Sequence, residues 1–194
     1  QKETGAVSAT GIIMNPQTGE ILAMSSTPGF DNNKYSKSLQ ETHRIRSITD
    51  QFEPGSTFKI VTAVAALSDN KIDLVEEFNC ENGEFEYHDI KVTDHEEYGM
   101  LTLSQIIQYS SNIGVVKVIE RVGRKTLYQT SRSFGFGSLS GISLAGETVG
   151  KLKPIKKWSA VSNGQTAMGY EVGVSAIQLA VAYCAIANGG YLIT

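Results

Sequence analysis

The stretch EPGSTFK, residues 53–59, runs directly into the apolar segment IVTAVAAL, residues 60–67. Pro54 and Gly55 interrupt whatever precedes them, and serine is favoured where a helix starts. Apolar residues then recur at helical spacing in two sets: Phe58, Val61 and Ala65, and Ile60, Val64 and Leu67. The spacing predicts a helix over 56–67. One reading of this segment is structural: Ser56 caps the helix and Lys59 sits on a solvated face. The other is chemical. Residues three apart share a helix face, so Lys59 lies one turn from the Ser56 hydroxyl. That hydroxyl sits where free backbone N–H groups and the positive end of the helix dipole gather. A lysine amine is a base only when neutral. Desolvation, or a second cation nearby, lowers its pKa toward working pH. Ser-x-x-Lys arises freely by chance, so the rest of the chain must decide.

The bulk composition is that of an ordinary globular domain: 194 residues, 41% hydrophobic and 19% charged, with a net charge of -3. No Lys/Arg cluster marks a nucleic-acid footprint, and no nucleic-acid partner is expected. Two cysteines, Cys80 and Cys184, are too few for a disulfide framework. The longest apolar run, LAVAYCAIA from Leu179, falls well short of the ~20 residues that span a bilayer. The first residues, QKETGAVSATG, lack the apolar core of a signal peptide. The chain is therefore read as a soluble piece, of a kind that an anchored or exported parent can supply.

Val7–Met14 and Glu20–Ser25 read as a hairpin around the turn cluster NPQTG. Residues 69–100 are polar, with short strand-like pieces and a charged loop, DHEEYG. Thr102 and Gln105 form a capping box ahead of a short helix that breaks near YSSN. A second helix, IGVVKVIERVG, ends at Gly123, and RKTLYQTSRSFG holds a third. Residues 135–164 read as loop. Ser175 and Gln178 cap a last helix, which the pair Gly189-Gly190 stops. A hairpin plus at least four helices implies an α+β domain, helices packed on one small antiparallel sheet.

The wider segment RSITDQFEPGSTFKIVTAVAAL, residues 46–67, resembles the active-site region of the penicillin-binding proteins, in particular the monofunctional (class B) transpeptidases of the cell-division type. That family carries three elements: Ser-x-x-Lys, a Ser-x-Asn loop and Lys-Thr-Gly. The second is present as SSN, Ser110 to Asn112, in the turn between two helices and 54 residues after Ser56 (56 to 110). MNPQTGEILAMSSTPGFDNN, FGFGSLSGISLAGETVG and MGYEVGVSAIQLAVAYCAIANGG resemble further family segments, in order. The resemblance implies a transpeptidase fold shared with serine β-lactamases. It implies Ser56 as nucleophile, Lys59 as general base, Ser110 as proton relay and Asn112 as the substrate anchor that also steadies Lys59. The implied substrates are peptidoglycan stem peptides ending in D-Ala-D-Ala, with β-lactams trapped at Ser56. No metal or organic cofactor is implied. The place of work is the outer face of the cytoplasmic membrane, with division or elongation membrane proteins as partners.

Lys-Thr-Gly occurs nowhere in the 194 residues. The expectation is a partial transpeptidase domain over 1–194, without an anchor, a pedestal or the Lys-Thr-Gly strand, and impaired for want of that strand's oxyanion donor. Two other readings stand beside the transpeptidase. A serine β-lactamase or β-lactam sensor shares the scaffold, and is told apart by repeated turnover of a chromogenic cephalosporin. A non-catalytic interaction module is tested by a pull-down with division-complex membrane proteins. CENGEFEYHDIKVTDHEE gathers zinc ligand types at Cys80, His88, Asp89, Asp94 and His95, but the spacing matches no standard site and a solvated loop is the simpler reading. Lys153, Lys156 and Lys157 form a small basic patch or a solvated loop, and Cys184 reads as a buried hydrophobe.

Overall fold

In chain order the elements are β1 (Ala9–Met14), β2 (Ile21–Thr27), α1 (Arg46–Thr49), α2 (Lys59–Ser68), β3 (Glu77–Asn79), β4 (Glu84–Tyr87), β5 (Ile90–Thr93), β6 (Met100–Thr102), α3 (Leu103–Gln108), α4 (Asn112–Val122), α5 (Arg124–Ser133), β7 (Lys151–Leu152), α6 (Ser162–Ala167), β8 (Val172–Gly173) and α7 (Ala176–Ala187). This architecture comes from a computed structural model that describes residues 3–68 and 70–193. The fold class is α+β, as the sequence implied. The strands do not form one sheet, however. Among the described residues they make four two-stranded antiparallel pairs, β1–β2, β3–β6, β4–β5 and β7–β8. Strands of two or three residues, as in β3, β6, β7 and β8, leave little edge on which a third strand can pair.

The chain divides into two compact units: residues up to 52 with 134–150 and 174 onward, and residues 53–133 with 151–173. In the first, β1 pairs with β2 across the Asn15–Gly19 turn, where Gly19 N–H donates to Asn15 O. The apolar face of the hairpin, Ile12, Met14, Ile21 and Met24, packs on Ile48 of α1 and on Ile177 and Val181 of α7. The expected capping box opens α7: Ser175 Oγ accepts from Gln178 N, and Gln178 Oε1 accepts from Ser175 N. Gly189, with φ +87°, closes it.

In the second unit α4 is the central helix. Ile113, Val115, Val116, Val118, Ile119 and Val122 are all buried, against Ala65 and Ala66 of α2, Leu103 and Ile106 of α3 and Leu127 of α5. Each such burial contributes about 1.5–3 kcal/mol, which anchors α4 firmly and with it the residue that starts it, Asn112. The expected second apolar set on α2 is not buried. Ile60 and Val64 are half-buried and Leu67 is exposed, while Lys59, Thr62, Ala63 and Ala66 turn inward with Val61 and Ala65. Helix α6 starts inside the segment expected as loop, 135–164, and runs three residues past it. Its sequence SNGQTA has no apolar period, but Ser162, Asn163, Gly164, Thr166 and Ala167 are buried, and Thr62 Oγ1 of α2 donates to Ala167 O. Small residues allow that close approach, and packing overrides weak propensity.

Candidate active site

The segment 55–58 is one 3₁₀ turn that continues into α2. Ser56 lies in this turn and is exposed. One turn on, Lys59 is only 2% exposed, and its N–H donates to Ser56 O. The Lys59 ammonium donates to Ser110 O at 2.5 Å, to Ser110 Oγ at 3.1 Å and to Asn112 Oδ1 at 2.7 Å. Three of the four expected site residues therefore meet at one nitrogen across more than fifty residues of chain. Ser56 stands beside them through its place on the helix, and its hydroxyl is not among the groups that Lys59 holds.

The Ser110–Asn112 segment folds as a helix end joined directly to a helix start. Ser111 N donates to Ile106 O and Ser110 N to Ile107 O, the two bonds of a Schellman cap on α3. The cap places Ser110 in the left-handed region, φ +57°, where glycine is usual. Ser111 then caps α4, its Oγ accepting from Gly114 N at 2.8 Å. Asn112 is thus the first residue of α4 and not a loop residue as the sequence suggested. A serine at a position that favours glycine costs about 1 kcal/mol. Here it turns both a carbonyl and a hydroxyl onto Lys59.

Asp94 holds this junction from behind. Its Oδ2 accepts from Ser111 Oγ at 2.6 Å, and its Oδ1 accepts from Asn112 N at 2.5 Å and Ile113 N at 3.1 Å. Asn112 Nδ2 donates to Thr93 O at 2.8 Å, so the end of β5 fixes one end of that side chain's amide while Lys59 holds the other. A second clasp lies on the Ser56 side. Gly55 N donates to Gly169 O at 3.1 Å, and Glu171 N to Glu53 Oε1 at 2.9 Å. Gly169 is the left-handed residue, φ +89°, of another Schellman cap, at the end of α6.

Burial lowers the Lys59 pKa from 10.5 to about 8, against the opposing pull of the Asp94 carboxylate. The ammonium loses more hydration than its neighbours restore. A group that binds a proton near pH 8 can exchange one with a serine hydroxyl at working pH.

The zinc-type residues of 80–95 do not converge. Among the described residues no three His, Cys, Asp or Glu side chains are grouped to hold a metal. Cys80 and Asp94 come together only through Ser111, whose Oγ lies 3.5 Å from Cys80 Sγ. His88 packs edge-on against Tyr87 instead, with centroids 4.6 Å apart. Both cysteines are free and buried. Asp94 was read from sequence only as a solvated or metal-ligating residue, and no local signal could have tied it to a turn 17 residues downstream (94 to 111). Lys153 is not part of a basic patch: its Nζ is 2.8 Å from Glu171 Oε2, leaving Lys156 and Lys157 exposed.

The family profile described as the penicillin binding protein transpeptidase domain matches residues 9–194. The chain belongs to this transpeptidase family. Stage V sporulation protein D of Bacillus subtilis (strain 168) is 38% identical over 94% of the chain and 29% of its own length. Peptidoglycan D,D-transpeptidase FtsI of Escherichia coli (strain K12) is 34% identical over 95% of the chain and 31% of its own. The chain thus spans about a third of the length of these curated relatives. Among solved structures, the transpeptidase domain of penicillin-binding protein 3 from Burkholderia pseudomallei superposes with a TM-score of 0.84 at 31% identity, over 95% of this chain and 51% of that one. Penicillin-binding protein 3 from Mycobacterium tuberculosis, complexed with aztreonam, gives 0.87 at 29%, over 96% and 42%.

In this transpeptidase domain Ser110→Gly separates the two demands on residue 110. Glycine suits the left-handed cap, and that relief offsets the lost hydrogen bond from the Lys59 ammonium, so stability at pH 7 should change by less than about 1 kcal/mol in urea unfolding. The hydroxyl against Lys59 is lost, and acylation by a penicillin should slow by about 10²-fold. A variant that loses stability and reactivity together would refute this division.

Proposed function

We propose that this domain is the acyl-transfer unit of a peptidoglycan D,D-transpeptidase, with Ser56 as nucleophile. The observation that carries it is a lysine 2% exposed, one turn from an exposed serine and held on three sides by Ser110 and Asn112. Neutral Lys59 takes the Ser56 proton as Oγ bonds to the penultimate D-alanyl carbonyl of a stem peptide. The C–N bond then breaks, and the leaving D-alanine amine receives a proton from Lys59 by way of the Ser110 hydroxyl. An amine of a second stem peptide attacks the ester, forms the cross-link and returns the proton to Ser56. Asn112 presents its amide to the substrate while its Oδ1 holds Lys59. The Ser56 N–H, at the start of the helix, is one oxyanion donor. β-Lactams acylate the same hydroxyl through their strained amide. The work belongs to the cell envelope, where the substrate is; no helix among the described residues is long and apolar enough to cross a membrane.

The test is mass spectrometry of the full-length protein after reaction with a penicillin. A single adduct should map to Ser56 and be absent from Ser56→Ala. Its rate should climb about tenfold per pH unit and level off near pH 8, the midpoint of Lys59. An adduct that persists in Ser56→Ala, or no adduct at all, would overturn the assignment.

A further inference from the structure

Beyond the Ser-x-x-Lys and Ser-x-Asn elements, one acidic side chain holds the junction that follows Ser110, at Ser111, Asn112 and Ile113. We propose that Asp94 is a positioning residue of the acylation site, holding Ser111 and the start of α4 while serving as the counter-charge to Lys59. This rests on the acyl-transfer reading given above.

The Asp94 carboxylate accepts three hydrogen bonds, from Ser111 Oγ, Asn112 N and Ile113 N, at 2.5–3.1 Å. Two come from backbone N–H groups in the first turn of α4, where no earlier carbonyl of the helix can take them. Such charge-assisted bonds are short and directional, so they fix the φ/ψ path that carries Ser110 and Asn112 onto Lys59. Asp94 follows β5 at once, and β5 is tied to β4 over four register pairs. The hairpin therefore acts as the rigid post for the clasp. Behind it lies Cys80, whose thiol pKa is raised by burial, so no second anion competes there at neutral pH.

The Asp94 carboxylate sits one residue's breadth from Lys59, across Asn112, and its charge pulls the lysine titration back upward. Other charges also stand on the elements packed against α2. On α4, Lys117 pairs with Glu81, Arg121 with Glu76, and Glu120 accepts from Tyr87 and Asn163. On α5 stand Arg124, Lys125 and Arg132, while α3 and α6 carry no charged residue. Removing the Asp94 charge leaves the lysine amine less able to hold its proton, so its titration moves to lower pH. Asp94→Asn can still accept from Asn112 N and Ile113 N through its amide oxygen, which preserves most of the clasp.

Two variants of the full-length protein test the two parts. Lys59 is titrated by NMR of ε-¹³C-labelled lysine, and acylation by a penicillin is timed across pH. In Asp94→Asn the Lys59 midpoint and the acid limb of acylation should both move below the wild-type position, with about tenfold slower acylation at the optimum. An unmoved midpoint would overturn the counter-charge. In Ser111→Ala the charge stays and one arm of the clasp goes. Acylation should slow about tenfold with the midpoint unmoved; an unchanged rate would overturn the positioning. The NMR midpoint needs no acylation. Wild-type protein without a Ser56 adduct therefore sinks the acyl-transfer reading alone, while an unmoved midpoint sinks the counter-charge given to Asp94.

Discussion

In Lys59→Met, acylation of Ser56 is expected to fall by about 10²–10⁴-fold, the range that removal of a general base commands, and the alkaline gain in stability should vanish with it. The second effect follows from burial. Folding takes Lys59 from a pKa of 10.5 to about 8. Below pH 8 both states carry the charge, and the folded protein bears its full desolvation penalty, about 3 kcal/mol for so large a depression. Between about 8 and 10.5 the folded state sheds the proton first, so stability rises with pH. Above 10.5 neither state is charged and the penalty is gone. Groups with raised pKa act the other way: Tyr87, Tyr183, Cys80 and Cys184 all lose stability as pH rises through their unfolded values. They are present in both proteins and cancel in the difference. Urea unfolding at pH 7, 9 and 10 should show wild type gaining on Lys59→Met by about 2 kcal/mol or more across that range. The orphaned Ser110 and Asn112 acceptors in the variant shift its curve by a constant and do not alter this slope. Curves that stay parallel would mean that Lys59 is not held against its charge, and the general-base role would lose its physical basis.

Gly169→Ala should be the most disruptive single methyl group in the second unit. A Cβ at this position would lie 2.0 Å from Gly55 O and 2.7 Å from Gly55 C, and the backbone there has φ +89°. Backbone atoms cannot rotate away as a side-chain tip can. The Gly169–Gly55 approach must open, and the bond from Gly55 N to Gly169 O goes with it. Conformational strain of about 1–2 kcal/mol adds to the lost contact, for a total destabilisation of about 3–5 kcal/mol. Because Gly55 immediately precedes Ser56, the remaining folded protein should also acylate slowly. Gly189→Ala is the control. It occupies the same cap position at the end of α7, with φ +87° but nothing within 4 Å of the added carbon. It should lower stability by only about 1–2 kcal/mol and leave acylation unchanged. Equal losses in the two variants would show that strain, not contact with Gly55, sets the effect.

The pattern of helix ends was legible in the residues themselves. Thr102 with Gln105, Ser175 with Gln178, and Gly123 and Gly189 each signal through side chains that bond or relax the backbone within a few positions. The hairpin turn at Asn15–Gly19 is of the same kind. Helix α6 was not legible, because SNGQTA owes its helical form to burial among α2 and α4 and not to any period of its own. Ser110 and Asn112 could be found as a motif, but the left-handed cap that aims Ser110 was hidden, since glycine would be the expected residue there.

What the residues alone determined is local: the one-turn spacing of Ser56 and Lys59, the helix that carries them, and the caps around the Ser110–Asn112 turn. These follow from torsional preference and hydrogen bonds that close within a turn of chain. What only the tertiary structure decided is the state of the amine. Whether Lys59 is solvated or buried, and whether Asp94 is a surface charge or the brace behind α4, depends on segments 35 to 53 residues from that lysine. Dielectric and charge act through space, and sequence separation carries no measure of that distance.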